Sequence, residues 1–187
     1  DGGAGTDTID YSNSSTSIQI DLGAGTGTGG DAQGDTISNI ENVTGSLVSD
    51  TIAGDGSDNR LDGHAGNDTI TGGTGNDTLI GSDGNDDLQG GDGIDTISGG
   101  NDDDTISGGA GDDILDGDAG DDTFNAEIGA DTIDGGTGTD TADYSGASSA
   151  VTINLDGTAS SGAEAAGDVL TNVERVIGTG FADQLNG

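Results

Sequence analysis

The chain has no cysteine, proline, methionine or tryptophan, and only two basic residues among 187. The lack of cysteine rules out a disulfide framework and is compatible with an extracellular protein that does without one. With Arg60 and Arg175 as the only cations, nothing can meet phosphates or an anionic membrane surface, so nucleic acid is excluded as a partner. No apolar run approaches the roughly 20 residues that span a bilayer, and no membrane insertion is expected. Aromatics make up 2% of the chain and all apolar residues 28%. That is too little for an ordinary globule to offset chain entropy and its own charge repulsion. No signal peptide is visible at the start, where Asp1 to Asp7 already lie inside a repeat, so the chain is expected to be a piece of a longer one.

What the chain has is acid, glycine and a period. There are 37 acidic residues and 40 glycines, and the formal charge is −35. From Gly63 the pattern recurs every nine residues: Gly63-His-Ala-Gly-Asn-Asp-Thr-Ile-Thr, Gly72-Gly-Thr-Gly-Asn-Asp-Thr-Leu-Ile, and onward. The apolar position runs through Val43, Ile52, Leu61, Ile70, Leu79, Leu88, Ile97, Ile106, Leu115, Phe124, Ile133 and Ala142. Two residues before each stands Glu41, Asp50, Asn59, Asp68, Asp77, Asp86, Asp95, Asp104, Asp113, Asp122, Asp131 or Asp140. Disordered low-complexity sequence has no reason to hold such a register. Residues 36–143 therefore read as twelve nonapeptides, each a turn followed by a very short strand with one inward side chain, the first three degenerate in the turn glycines. The glycine density and the absence of a 3.6-residue period argue against helix anywhere.

The residues of the turn point to a hard cation. Glycines at the first, second and fourth positions, as in Gly72, Gly73 and Gly75, Gly90, Gly91 and Gly93, or Gly108, Gly109 and Gly111, permit positive φ and let carbonyl oxygens converge. The sixth-position aspartate adds a charged oxygen to those neutral ones, the mixture Ca2+ prefers with its six to eight oxygen ligands. The motif Gly-Gly-x-Gly-x-Asp-x-U-x, with U apolar, resembles that of the RTX, or hemolysin-type, family of secreted bacterial proteins. The resemblance implies an all-β, right-handed parallel β-roll in which two nonapeptides form one coil and calcium sits between stacked turns. It places Asp77, Asp95, Asp113 and Asp131 on one edge and Asp68, Asp86, Asp104, Asp122 and Asp140 on the other. Between the ten best repeats there is room for up to about eight ions. Turns that depart from the pattern, at Asn59, Asp102 and Ala126-Glu127, are expected to be weak or empty sites.

A second repeat overlies the first. Residues 2–54 align without a gap with 135–187 at an offset of 133, and 22 of the 53 positions are identical. Each module interrupts its nonapeptides once, at 11–35 and 144–168, opening on the only tyrosines, Tyr11 and Tyr144. Alternating Ile18, Ile20 and Leu22 predict a strand with one covered face, and the Gly/Ala/Thr/Ser stretch after it reads as a loop. The domain organisation expected is thus an array end over 1–10, inserts at 11–35 and 144–168, the roll over 36–143, and the start of a further array over 169–187.

No catalytic constellation is present: His64 is the single histidine, and lysine and cysteine are missing. The chain is expected to be no enzyme. The reading is a calcium-binding structural segment of a secreted or cell-surface protein, such as an adhesin stalk, filament or surface layer. The resemblance further implies type I secretion from a Gram-negative bacterium and folding on calcium after export. An export module attached to a secreted enzyme or toxin is the alternative, with a calcium-buffering or ice-binding module weaker still. End-to-end self-association and partners on another surface are left open.

Overall fold

A computed structural model describes all 187 residues. The nine-residue period becomes a solenoid with two facing walls of parallel strands. One wall is built, in order, from Thr8–Asp10, Asn42–Thr44, Arg60–Ala65, Thr78–Asp83, Thr96–Asn101, Ile114–Ala119, Thr132–Asp134 and Val169–Thr171. The other runs from Arg175–Ile177 through Thr141–Asp143, Thr123–Asn125, Thr105–Ala110, Asp87–Asp92, Thr69–Thr74, Thr51–Ala53 and Gln19–Asp21 to Thr26–Thr28. Through the array each strand pairs with the one 18 residues on: Leu61 with Leu79, Leu79 with Ile97 and Ile97 with Leu115, and likewise Ile52 with Ile70, Ile70 with Leu88 and Leu88 with Ile106. Two nonapeptides therefore make one coil, and successive coils stack to form a β-roll. No helix is long and apolar enough to cross a membrane; the only helical segments are the single 3-10 turns Gly30–Ala32 and Ala163–Ala165.

The core is two columns of single residues. Leu61, Leu79, Ile97, Leu115 and Ile133 from one wall meet Ile52, Ile70, Leu88, Ile106 and Phe124 from the other, all essentially inaccessible to water. The seventh-position threonines point outward, as β-branched residues on the wet face of a strand do, except Thr141, which is buried. Seven strands are six residues long rather than three, because pairing continues through the next repeat's first glycines, as in Gly73 with Gly91. The first glycine also faces inward and is buried, so a strand has two inward positions, only one of which carries a side chain.

The inserts follow the sequence reading in their first half and depart from it in the second. Ile18, Ile20 and Leu22 are buried and Gln19–Asp21 is a strand. The stretch expected as loop contains the strand Thr26–Thr28, which folds back antiparallel on Gln19–Asp21. Glycine at position 27 allows this: a Cβ there would press against Ala32 and Asp35. The second insert repeats most of the first at the 133-residue offset, with the hairpin reduced to a single Thr152–Ser161 bridge. Ile20 pairs with Ile52 and Ile153 with Leu185; Ile9 with Val43 and Ala142 with Val176. The Tyr11 hydroxyl donates to Asp35 Oδ2 at 2.7 Å, and that of Tyr144 to Asp168 Oδ2 at 2.8 Å. Strands related by 133 residues nevertheless lie in opposite walls: Thr8–Asp10 and Asn42–Thr44 in one, Thr141–Asp143 and Arg175–Ile177 in the other.

Candidate metal centre

The two corners where the walls turn into one another carry the sixth-position aspartates, and their side chains are buried. One carboxylate oxygen of each is spent on holding the coils together. The Asp50 N–H donates to Asp68 Oδ1, Asp68 to Asp86, Asp86 to Asp104, Asp104 to Asp122 and Asp122 to Asp140, at 2.7–2.9 Å. The opposite corner runs from Asn59 to Asp77, Asp95, Asp113 and Asp131 over the same distances, and ends with the Asp131 N–H on Asp168 Oδ1 at 3.1 Å. These are the two edges that the sequence pattern assigns, each a continuous ladder.

The other oxygen has nothing to bind within the chain. Oδ2 of Asp68, Asp77, Asp86, Asp95, Asp104, Asp113, Asp122 and Asp140 is buried without a hydrogen-bond partner. A buried carboxylate oxygen without a donor is costly, and such groups are rare in native folds. Each lies against the first glycine of its own turn. The place a Cβ would take at Gly72, Gly90 or Gly108 is filled by Oδ2 of Asp77, Asp95 or Asp113. At Gly72, Gly81, Gly90 and Gly117 the carbonyl oxygen of the glycine 18 residues on meets the same spot. A charged oxygen and a neutral one from two stacked turns thus converge. No three acidic side chains cluster anywhere, so a cation at these corners takes few carboxylates and completes its shell with carbonyls, which suits Ca2+. The remaining predicted glycines supply the bend: φ is +117° at Gly73 and Gly91, +102° at Gly109, and +126°, +145° and +147° at Gly75, Gly93 and Gly111.

Burial raises the affinity of these carboxylates for protons, opposed by the ladder hydrogen bond and assisted by neighbouring acids. Asp68, Asp104 and Asp131 are pushed up to about 7, and Asp86, Asp95 and Asp122 to about 6. Asp77, Asp113 and Asp140 are raised as well, again mainly by burial.

Of the nine aspartates the pattern predicts, Asp131 alone has no oxygen that is both fully buried and unpartnered; its turn is the one in which Ala126-Glu127 replaces the double glycine. The turn with Asp102 at the fourth position has the same geometry as its neighbours, Asp102 standing at φ +75° and Asp104 Oδ2 left unpartnered. One residue was missed. Asp7 Oδ2 is also buried and unpartnered, and Gly2-Gly3-Ala4-Gly5-Thr6-Asp7 spells the motif in full. Where the inserts meet the array, protein donors serve the carboxylates instead, as Tyr144 does for Asp168. Tyr144→Phe leaves Asp168 Oδ2 buried and unserved, and is expected to cost about 1–3 kcal/mol of stability in saturating calcium. Thermal melts of the two proteins check this, and an unchanged melting temperature would contradict it.

Buried one-carboxylate turns stacked in two ladders define a calcium-binding β-solenoid. Residues 44–79, 80–115 and 107–142 match the RTX calcium-binding nonapeptide repeat, a unit of four copies. The chain belongs to that family, and the repeats bind calcium. No curated protein matches the chain. A repeat solenoid of this kind is a structural fold.

Proposed function

We propose that this segment is a calcium-stiffened rod within a longer secreted or cell-surface protein, unfolded during export and folded where calcium is plentiful. The observation that carries the reading is the row of buried, unpartnered Oδ2 atoms, one per turn at Asp68, Asp77, Asp86, Asp95, Asp104, Asp113, Asp122 and Asp140. A chain of charge −35 cannot keep these stacked carboxylates ionised and dry without cations between them. Each corner ladder would take calcium between successive turns, through the aspartates and through carbonyls of glycine turns such as those at Gly72, Gly90 and Gly108. Metal binding and folding are then one equilibrium.

The 133-residue relation supports a structural role over an enzyme's appendage. Insert, tyrosine clamp and strand pairing recur as one unit, and a module of array plus insert suits a stalk or filament built by repetition. Equilibrium dialysis of the chain against calcium at neutral pH tests the proposal. Several ions per chain, about eight if each inter-turn space fills, are expected; no bound calcium would end the reading.

A further inference from the structure

The turns fall into two kinds, and the second position of the repeat separates them. Nine residues at that position stand in the left-handed region: Gly3, His64, Gly73, Ser82, Gly91, Gly100, Gly109, Asp118 and Gly136. Four residues further on lie Asp7, Asp68, Asp77, Asp86, Asp95, Asp104, Asp113, Asp122 and Asp140, the same nine aspartates whose Oδ2 is orphaned. Ser46, Asp55, Glu127 and Thr179 occupy the second position in the other turns whose sixth residue is aspartate or asparagine, and none has positive φ. In three of those turns the second-position N–H folds onto the sixth side chain: Ser46 on Asp50 Oδ2 at 2.5 Å, Asp55 on Asn59 Oδ1 and Thr179 on Asp183 Oδ2, both at 2.8 Å. The Ser46 and Thr179 hydroxyls serve the other oxygen of the same carboxylates at 2.8 Å. At Glu127 the orphaned atom is Glu127 Oε2, and not an oxygen of Asp131.

We infer that the backbone conformation at the second position, and not glycine as such, decides which turns take calcium. Resting on the calcium reading above, this assigns sites to the turns of His64, Ser82 and Asp118 although each lacks the second glycine. It denies sites to the turns of Asp50, Asn59 and Asp183. The physical reason is competition for one oxygen. With positive φ the second-position peptide turns its N–H away from the carboxylate, which keeps a free charged oxygen. With negative φ the turns of Asp50, Asn59 and Asp183 close on their own sixth side chain, which has nothing left for an ion. Positive φ is uncommon in any residue but glycine, though histidine and aspartate tolerate it better than most, and strain of that kind persists where a site requires it. The closed turns at Asp50 and Asp183 flank the two inserts, so the array is bounded by segments that satisfy their own carboxylates.

Calcium counts on the full chain test this. Ser46→Gly removes the hydroxyl and permits positive φ, and is expected to bind one ion more than the parent chain by equilibrium dialysis. Ser82→Gly relieves strain in a turn already open; its count should stay at the parent value while its half-saturating calcium concentration falls. A Ser46→Gly count equal to the parent's, with the calcium-induced β-sheet circular dichroism intact, would overturn the inference, and so would an extra ion in Ser82→Gly. Should the parent chain itself bind no calcium, the underlying reading fails first, visibly and before any substitution is made.

Discussion

In excess chelator at about pH 7.5 the chain is expected to lose most of its β-sheet circular dichroism, and to regain part of it when the same sample is acidified to about pH 5. Most proteins behave in the opposite sense, and the reversal follows from the ladders. The corner aspartates are raised by burial, to about 7 at Asp68, Asp104 and Asp131 and about 6 at Asp86, Asp95 and Asp122, whereas in an unfolded chain they titrate near 3.9. The folded state therefore binds protons more tightly than the unfolded one. Its stability is fully present below about pH 4 and is lost as pH rises through about 6–7. At neutral pH without metal the folded chain must hold ionised, dry carboxylates, and it unfolds. Calcium removes that penalty by occupying the oxygen a proton would take, so protons and calcium compete, and the calcium needed for half-maximal folding should rise as pH falls below about 6.5. A moderate acidity is chosen because the isoelectric point is about 4.1, where loss of net charge favours precipitation. A chain that keeps its β-signal in chelator at neutral pH, or loses more of it on acidification, contradicts the account.

The second large effect is a single methyl group at Gly93. Its φ is +145°, and a Cβ there would overlap the carbonyl oxygen of Gly75 in the coil below. The overlapping atom belongs to backbone that is itself part of a turn, so neither partner can step aside without breaking the stack. Gly93→Ala is expected to raise the calcium concentration for half-maximal folding by about tenfold or more, since alanine at an incompatible φ combines conformational strain with a steric clash. Gly56 is the control. It occupies the third position in the repeat with Asn59, where the pattern demands no glycine, has no positive φ, and a Cβ there would make only an ordinary 3.4 Å contact with the Thr74 hydroxyl. Gly56→Ala should change stability by less than about 0.5 kcal/mol. Calcium titrations followed by circular dichroism compare the two, and equal midpoints would show that the fourth-position glycines are not held by stacking.

Much of this arrangement is written into the sequence because it depends on spacing alone. One apolar residue in nine fixes the core column, the aspartate two residues earlier fixes the corner, and two repeats per coil give the 18-residue pairing of Leu61 with Leu79. What spacing does not carry is the division of labour within a side chain. Nothing in the letters says that Asp95 uses Oδ1 to hold the Asp77 N–H and leaves Oδ2 idle. Nor does composition separate Ser46, which closes its turn, from Ser82, which opens its own at φ +84°. That difference is conformational. The hairpin at Thr26–Thr28 was hidden for a related reason: small residues with no alternation read as loop, yet they pair because Ala32 and Asp35 crowd against a glycine. Asp7 was legible and simply lay outside the counted array.

The exchange of walls at the 133-residue step makes the structural period twice the sequence period. A strand returns to its own wall only after two such steps, in the manner of a twofold screw, because one module contains an odd number of half-coils. In a chain that continued the pattern, any feature occurring once per module, such as the insert itself, would emerge on alternate sides of the rod. A bend introduced by one insert would be undone by the next, and a bundle of such rods could be contacted equally from both flanks.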